Sequence, residues 1–151
     1  MPIELTGHSF KLTLAPVVGT PTTYPCWDIA ASSPFVPDLR TQGAFTAEDL
    51  CDLCHILTSH LGDLADSAGY NRESRLWLPY DLSLWIRWLD GDVERHTDGF
   101  TGLLSVRISL LAGQGLATGL RVYAGIEGAV AVEQAQAFCR AVQLYAADAP
   151  H

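Results

Sequence analysis

The sequence predicts an α+β fold in which an antiparallel sheet packs against two helices. Three observations support this: apolar and polar residues alternate along several short runs, two longer segments repeat apolar residues at helical spacing, and the segments follow the order strands, helix, strands, helix. The chain has 151 residues. Because one hydrophobic core can serve a chain of this length, residues 1–151 are predicted to form a single domain.

The first segments are two short strands. Phe10, Leu12 and Leu14 alternate with polar residues, as do Trp27 and Ile29. A period of two is typical of strands that bury one face. We therefore expect both runs to contribute one side to the core.

A helix is predicted to begin after Thr46 and to end near the Ala68-Gly69 pair. Thr46 is a suitable N-cap, and Glu48 and Asp49 place negative charge in the first turn. The apolar residues at helical spacing are Leu50, Leu53, Cys54, Leu57, Leu61 and Leu64. Their stripe predicts an amphipathic helix with one buried face.

Three strongly alternating runs follow and predict an antiparallel meander with one wet face. They span residues 82–88, 104–110 and 120–124. The links between them, residues 90–102 and 113–119, are rich in Gly and Asp and are predicted to be hairpin loops longer than two-residue turns. A second helix is predicted to begin near Glu133 and to bury a face that includes Phe138.

Charge and composition exclude several classes of function. Nine basic residues against seventeen acidic ones give a net charge of −8, which disfavours nucleic acid and anionic membranes as partners. No secretory signal is visible at the N-terminus, and no apolar tract is long enough to span a bilayer. We therefore expect a cytoplasmic protein with reduced cysteines.

The segment from Cys51 to His55 has the Cys-x-x-Cys-His spacing of c-type haem attachment and contains two thiols at zinc-ligand spacing. Haem, structural zinc and thiol–disulfide exchange are alternatives to ordinary helix packing, which the leucine stripe favours. No familiar catalytic motif is present. We predict no metal, no cofactor and no enzymatic activity, and we expect His60 and His96 to be solvated.

Two surfaces are predicted to bind a partner, with a solvated surface as the alternative for each. The first is acidic and would suit a basic protein; its residues are Asp90, Asp92, Glu94, Asp98, Asp49 and Asp52. The second combines arginine with aromatic side chains, as binding hot spots do; its residues are Trp85, Arg87, Arg107, Arg121 and Tyr123, with Lys11 as a candidate neighbour from the first strand.

The order of elements resembles the small acidic immunity proteins of bacterial polymorphic toxin systems, in particular the group related to the immunity partner of wall-associated protein toxins. The resemblance covers roughly Phe10 to Tyr145 and follows a pattern rather than a signature. A glutamate common near the start of the aromatic-proline stretch is absent, and Asp81 follows the proline instead. The segments that carry it are Trp27-Asp28-Ile29, residues 45–50, the aromatic-proline stretch 76–84, residues 102–108, and the closing helix around Phe138.

This resemblance implies a non-catalytic cytoplasmic protein that binds the C-terminal domain of a cognate toxin and neutralises it by occlusion. Two other classes fit the sequence. One is a small enzyme or ligand-binding domain whose pocket would be lined by Trp77, Tyr80, Trp85 or Trp88, and the other is a secretion chaperone or adaptor. A low charged fraction and an exposed Trp85 also favour a homodimer.

Overall fold

A computed structural model of the chain describes residues 2–20, 25–66, 73–79, 81–114 and 119–148. Its strands are β1 (Ile3–Thr6), β2 (Lys11–Pro16), β3 (Cys26–Ser33), β4 (Val36–Ala44), β5 (Arg75–Trp77), β6 (Leu84–His96), β7 (Gly99–Gln114) and β8 (Arg121–Ala131), and its helices are α1 (Ala47–Asp66) and α2 (Val132–Asp148). The predicted α+β class with antiparallel pairing is confirmed, but the strands form two sheets instead of one.

The N-terminal sheet has the order β1-β2-β3-β4, and every neighbouring pair is antiparallel. The two predicted strands correspond to β2 and β3, whose Leu12, Leu14, Trp27 and Ile29 are buried. Strands β1 and β4 were not predicted. In β1, Ile3 and Leu5 alternate with polar residues, but the run has only 4 residues. Strand β4 is mostly exposed, so its pairing with β3 is what defines it.

The C-terminal sheet has the order β5-β6-β7-β8 and is built around the long β6–β7 hairpin. The prediction that residues 90–102 form a loop is wrong. Strand β6 continues to His96, which pairs with Gly99, so a two-residue turn at Thr97-Asp98 closes the hairpin. A shift of register between Trp88 and Gly91 interrupts the ladder as a bulge.

The ends of two predicted strands are also corrected. Leu82 precedes β6 with a φ of 60°, and Leu120 precedes β8. Leu120 and Val122 are 62% and 53% exposed, so the start of the third run does not face the core. The link predicted at residues 113–119 falls in part outside the described residues, since β7 extends to Gln114 and residues 115–118 are not among them.

The predicted start of α1 is confirmed. The Asp49 backbone N–H donates to the Thr46 hydroxyl at 3.1 Å, and the Thr46 N–H donates to the Asp49 carboxylate at 2.8 Å, which is a reciprocal cap. The whole predicted leucine stripe is buried. The helix ends at Asp66, and the Ala68-Gly69 pair lies outside the described residues. Helix α2 begins at Val132 and buries Phe138, close to the prediction.

The helices pack on each other, α1 lies on β5 and β6, and α2 contacts β1, β7 and β8. The Trp27 ring stacks on Phe45 at 5.2 Å between centroids and meets the Tyr145 ring edge-on at 4.8 Å. Trp27 thereby ties the N-terminal sheet to the segment before α1 and to α2. The buried apolar residues of both sheets and both helices form one cluster, while a single domain over residues 1–151 stays a prediction.

Neither described helix is long and apolar enough to cross a membrane.

Candidate partner-binding surfaces

The acidic arm is the end of the β6–β7 hairpin, residues 90–103. Asp92 and Glu94 alternate with the buried Val93, so both carboxylates lie on the same side of β6. Asp98 lies in the turn at the tip. Asp90 stands at the base, where its carboxylate accepts the Gly91 N–H at 2.8 Å. The four hairpin residues of the predicted acidic surface therefore follow one projecting element.

Three of the four carboxylates along the arm have no counter-ion among the described residues. Within the described part of the chain, Asp92, Glu94 and Asp98 have no hydrogen-bonded or ion-paired side-chain partner. The arginine of the arm, Arg95, is turned to the other side, where its guanidinium pairs with Asp66 of α1 at 2.8 Å. That hydrogen bond lowers the pKa of the Asp66 carboxyl. The Arg95 guanidinium therefore neutralises a carboxylate at the end of α1 and none on the outer side of the arm.

A groove of about 630 Å³ lies beside these carboxylates. Leu64 and Ala65, near the end of α1, form one part of its wall, and Leu103 of β7, 41% exposed, forms another. The groove thus has apolar walls and lies at the carbonyl end of a helix, where the macrodipole is negative. The carboxylates of Asp92 and Glu94 stand on the outer side of β6, the side of the exposed Leu103. Leu103 was not among the predicted binding residues, although the alternation from Leu104 to Leu110 puts it on the outward side of the strand.

Two glycines allow the backbones of β6 and β7 to approach each other closely in this arm. Gly102 has a φ of +128°, and a side chain there would collide with the Asp92 carbonyl. A side chain at Gly91 would collide with the Leu103 carbonyl. The glycines that suggested a flexible loop are therefore required by a bulged hairpin.

The helix members of the predicted acidic surface lie elsewhere. Asp49 belongs to the α1 cap, and its carbonyl accepts the Trp77 indole N–H at 2.8 Å. Asp52 is exposed in the next turn. Asp66, which contacts the arm, is 14 to 17 residues farther along, a distance of about 21 to 26 Å along a helix. The structure therefore separates Asp49 and Asp52 from the acidic arm.

The arginine–aromatic face consists of Trp85, Arg87, Arg107, Arg121 and Tyr123. The Trp85 and Tyr123 rings are 4.5 Å apart between centroids, and the Tyr123 hydroxyl donates to the Leu82 carbonyl at 2.8 Å. The register pairs Arg87 with Arg107, and Arg121 lies two residues from Tyr123 on the same side of β8. All five predicted residues share one side of the C-terminal sheet.

Most polar side chains of this face already have an ion-pair or hydrogen-bond partner within the chain. Arg107 pairs with Glu127 at 3.3 Å, and Arg87 donates to the Ser74 hydroxyl at 3.0 Å. Trp85 is half-buried against Tyr123, although its indole N–H has no acceptor among the described residues. Lys11 is not a neighbour, contrary to expectation, because it lies in the N-terminal sheet and pairs with Glu4 at 3.2 Å.

The Cys-x-x-Cys-His segment does not converge on one point. Cys54 is buried and its thiol donates to the Cys139 carbonyl at 3.6 Å, whereas His55 is exposed. A hydrogen bond with the Cys54 thiol, together with burial, raises the pKa of the Cys139 thiol, and burial raises the pKa of the half-buried Cys51 thiol. Within the described residues, no three His, Cys, Asp or Glu side chains are grouped as metal ligands.

His60 is buried, and the expectation that it is solvated is wrong. Only 1% of the residue is exposed, and its Nε2 lies 2.7 Å from the Leu89 carbonyl. Its Nδ1 has no partner among the described residues. Desolvation lowers the pKa of the imidazole, opposed by the hydrogen bond to Leu89. A neutral ring that donates from Nε2 satisfies this geometry.

The tryptophans suggested as pocket walls have structural partners. Trp88 is fully buried, and Trp77 is buried against Phe45, 5.7 Å away between ring centroids. Trp85 lies on the outer face described above, and Tyr80 is outside the described residues. Trp77 and Trp88 thus belong to the hydrophobic core.

Comparison with known proteins gives no family assignment: no protein-family model matches the chain, and no curated protein shows significant similarity to it.

Proposed function

We propose that this chain is a non-catalytic binding protein that neutralises a cognate bacterial toxin domain by covering its functional surface. The observation that carries the proposal is the acidic arm: three carboxylates that have no counter-ion among the described residues, two of them beside the exposed Leu103. The toxin class and the cytoplasmic site of action rest on the resemblance of the sequence to immunity proteins. No reaction is required of the chain.

The outer side of the arm suits a basic segment of a partner protein. A lysine or arginine could lay its aliphatic stem on the exposed Leu103 while its charged head meets Asp92 and Glu94. The negative end of α1 adds to the same field. Charge complementarity of this kind raises the association rate and excludes acidic partners. A toxin that acts on an anionic substrate, such as nucleic acid, would present a basic surface of this kind.

The test is neutralisation of the toxin domain encoded beside this chain. We expect co-expression to rescue growth and the two proteins to co-purify. With purified proteins, inhibition by occlusion should be complete at a one-to-one ratio, whereas a catalytic neutraliser would act well below that ratio. A neighbour that is not toxic, or is toxic and not neutralised, contradicts the proposal; a secreted effector as partner would favour a chaperone, and a bound small molecule a ligand-binding domain.

A further inference from the structure

Strand β8 is an unprotected edge of the C-terminal sheet. The other outer strands are short or broken up: β1 has 4 residues, β5 has 3, and β4 contains Pro37 and two charged residues. Strand β8 has 11 residues and no proline, and it carries two charged residues, Arg121 and Glu127, as many as β4. Short strands and proline are usual protections of a sheet edge against pairing with another chain. The length of β8 and its lack of proline make it the edge most open to strand addition.

One end of β8 is covered and the rest is open. The His8 N–H donates to the Ala129 carbonyl at 2.9 Å, which closes the edge at that end. Among the described residues, no backbone hydrogen bond from outside the sheet reaches residues 121–127. Val122 is 53% exposed and Gly125 is exposed, as expected beside an open edge. Seven residues are thus available for pairing.

We propose that a second copy of this chain pairs with this edge, antiparallel and centred on Ala124. The segment 121–127 is complementary to itself in this register. Arg121 would lie opposite Glu127 of the partner subunit, Val122 opposite Ile126, and Tyr123 opposite Gly125, each pair occurring twice. Opposite charges, paired aliphatic residues and an aromatic ring over a glycine are all stabilising cross-strand pairs.

The charges select this register. Arg121 has no ion-pair partner among the described residues, and Glu127, at the other end of the open segment, holds Arg107 at 3.3 Å. Centring the pair on Tyr123 would put Arg121 opposite glycine and leave Glu127 beyond the paired segment. Centring it on Gly125 would extend the pairing to Ala129, whose carbonyl His8 occupies. Only the register centred on Ala124 joins the charges and uses residues 121–127.

The dimer is a continuous eight-stranded antiparallel sheet. A two-fold axis perpendicular to the sheet keeps the outer faces on one side, so the two arginine–aromatic faces become one surface. Seven paired residues form a small interface, which places the dissociation constant on the order of 1 to 100 µM. This inference is independent of any toxin, because it rests on β8 alone.

Sedimentation equilibrium tests the charges. Arg121→Glu and Glu127→Arg should each weaken dimerisation about tenfold, since two attractive pairs become repulsive. An equimolar mixture of these two variants should dimerise again, because both cross-strand pairs between unlike copies then join one carboxylate and one guanidinium. Arg40→Glu, the same charge change on the outer strand β4, is the matched control and should leave dimerisation unchanged. A chain that stays monomeric at about 100 µM overturns the proposal, and so does a dimer that only Arg40→Glu weakens.

Cysteine cross-linking tests the register without relying on charge. In the proposed dimer the two copies of Ala124 face each other across the axis, so thiols introduced at this position would lie within reach of a disulfide. Under a mild oxidant, Ala124→Cys should form a covalent dimer that dithiothreitol reverses. Val122→Cys, four residues out of register with its own copy, should cross-link no more than the unchanged chain with its native cysteines. Equal cross-linking by the two variants, or preferential cross-linking at position 122, would overturn the register.

Discussion

The acidic arm and the arginine–aromatic face are both charged, exposed parts of the same sheet, yet they differ in how their charges are held. On the arginine–aromatic face, Arg107 has Glu127 and Arg87 has Ser74. On the acidic arm, Asp92 and Glu94 have no counter-ion in the described part of the chain. The sequence ranked the acidic surface first and the arginine–aromatic face second, without knowledge of which charges are paired. The pairing of charges is what distinguishes them.

This difference suggests which surface serves a partner. An arginine whose carboxylate or hydroxyl partner lies in the same chain exchanges part of that pairing when it binds another protein, so its net contribution to affinity is small. An unpaired carboxylate beside apolar surface loses only water. We therefore expect affinity for a toxin domain to depend on the arm, and stability of the chain to depend more on the arginine–aromatic face.

The largest expected effect comes from reversing the arm. Substituting Asp92, Glu94 and Asp98 by lysine should weaken toxin binding by about 100-fold or more, since three attractive contacts become repulsive. Isothermal titration calorimetry with the purified toxin domain measures the change. The matched control is Glu48, Asp52 and Asp148 changed to lysine, which alters the net charge equally. Glu48 and Asp52 lie in the first turns of α1 and Asp148 at the end of α2, away from the arm. If both triple variants bind equally well, the arm is not the contact surface.

The second effect concerns stability. Trp85→Ala removes a half-buried ring stacked on Tyr123 and should lower the free energy of unfolding by about 2 kcal/mol. Toxin affinity should stay within about twofold, since the arm is untouched. Urea denaturation and calorimetry give the two quantities. A variant of unchanged stability that fails to bind would reverse the comparison and make this face the contact surface.

Sequence periodicity could predict the elements whose own residues carry the pattern. The α1 stripe and its cap, and the alternation in β6 and β7, required no knowledge of the rest of the chain. Strand β4 could not be predicted in this way, because it is mostly exposed and is defined by pairing with β3. Local pattern identifies strands that face the core, whereas an exposed outer strand depends on its neighbour.

The candidate site was predicted only in part, for physical reasons. The arm's acidic residues could be listed from the sequence, but Gly91 and Asp92 suggested a loop where a bulged strand exists. Counter-ions come from distant elements, as when Asp66 of α1 takes Arg95, so charge availability was not visible. His60 was missed despite a usable signal: it lies three residues after Leu57 and four before Leu64, on the buried stripe.

Salt provides a smaller and more selective test of the arm. Raising ionic strength from about 0.05 M to about 0.5 M should slow association with the toxin domain roughly tenfold, because screening removes long-range steering. Stopped-flow measurements of the association rate show this directly. The dissociation rate should change much less, and the triple lysine variant of the arm should lose the slowing. An association rate independent of salt would mean that the unpaired carboxylates do not steer the partner.

The smallest effect tests a buried titratable side chain, His60, at the base of the same arm. His60 bonds the Leu89 carbonyl from α1, and Asp63, Arg75 and Asp90 are the charged groups that act on its pKa. Its pKa is lowered below the usual 6.5 in the folded chain. Below pH 6.5 the imidazole is protonated in the unfolded chain but stays neutral in the folded chain. The free energy of unfolding should therefore be largest above pH 6.5 and fall as the pH decreases.

His60→Gln separates this contribution from general acid denaturation. A glutamine can donate to the Leu89 carbonyl but does not titrate, so its stability should change less than that of the unchanged chain between about pH 7 and pH 5. The Asp66 carboxyl cannot supply the difference, because its pKa is lowered from 3.8 and its effect falls at lower pH. Urea denaturation at each pH measures both slopes. If the free energy of unfolding changes equally with pH in both chains, protonation of His60 does not destabilise the fold. The folded chain would then stabilise the charged imidazole, as it stabilises the paired arginines of the outer face.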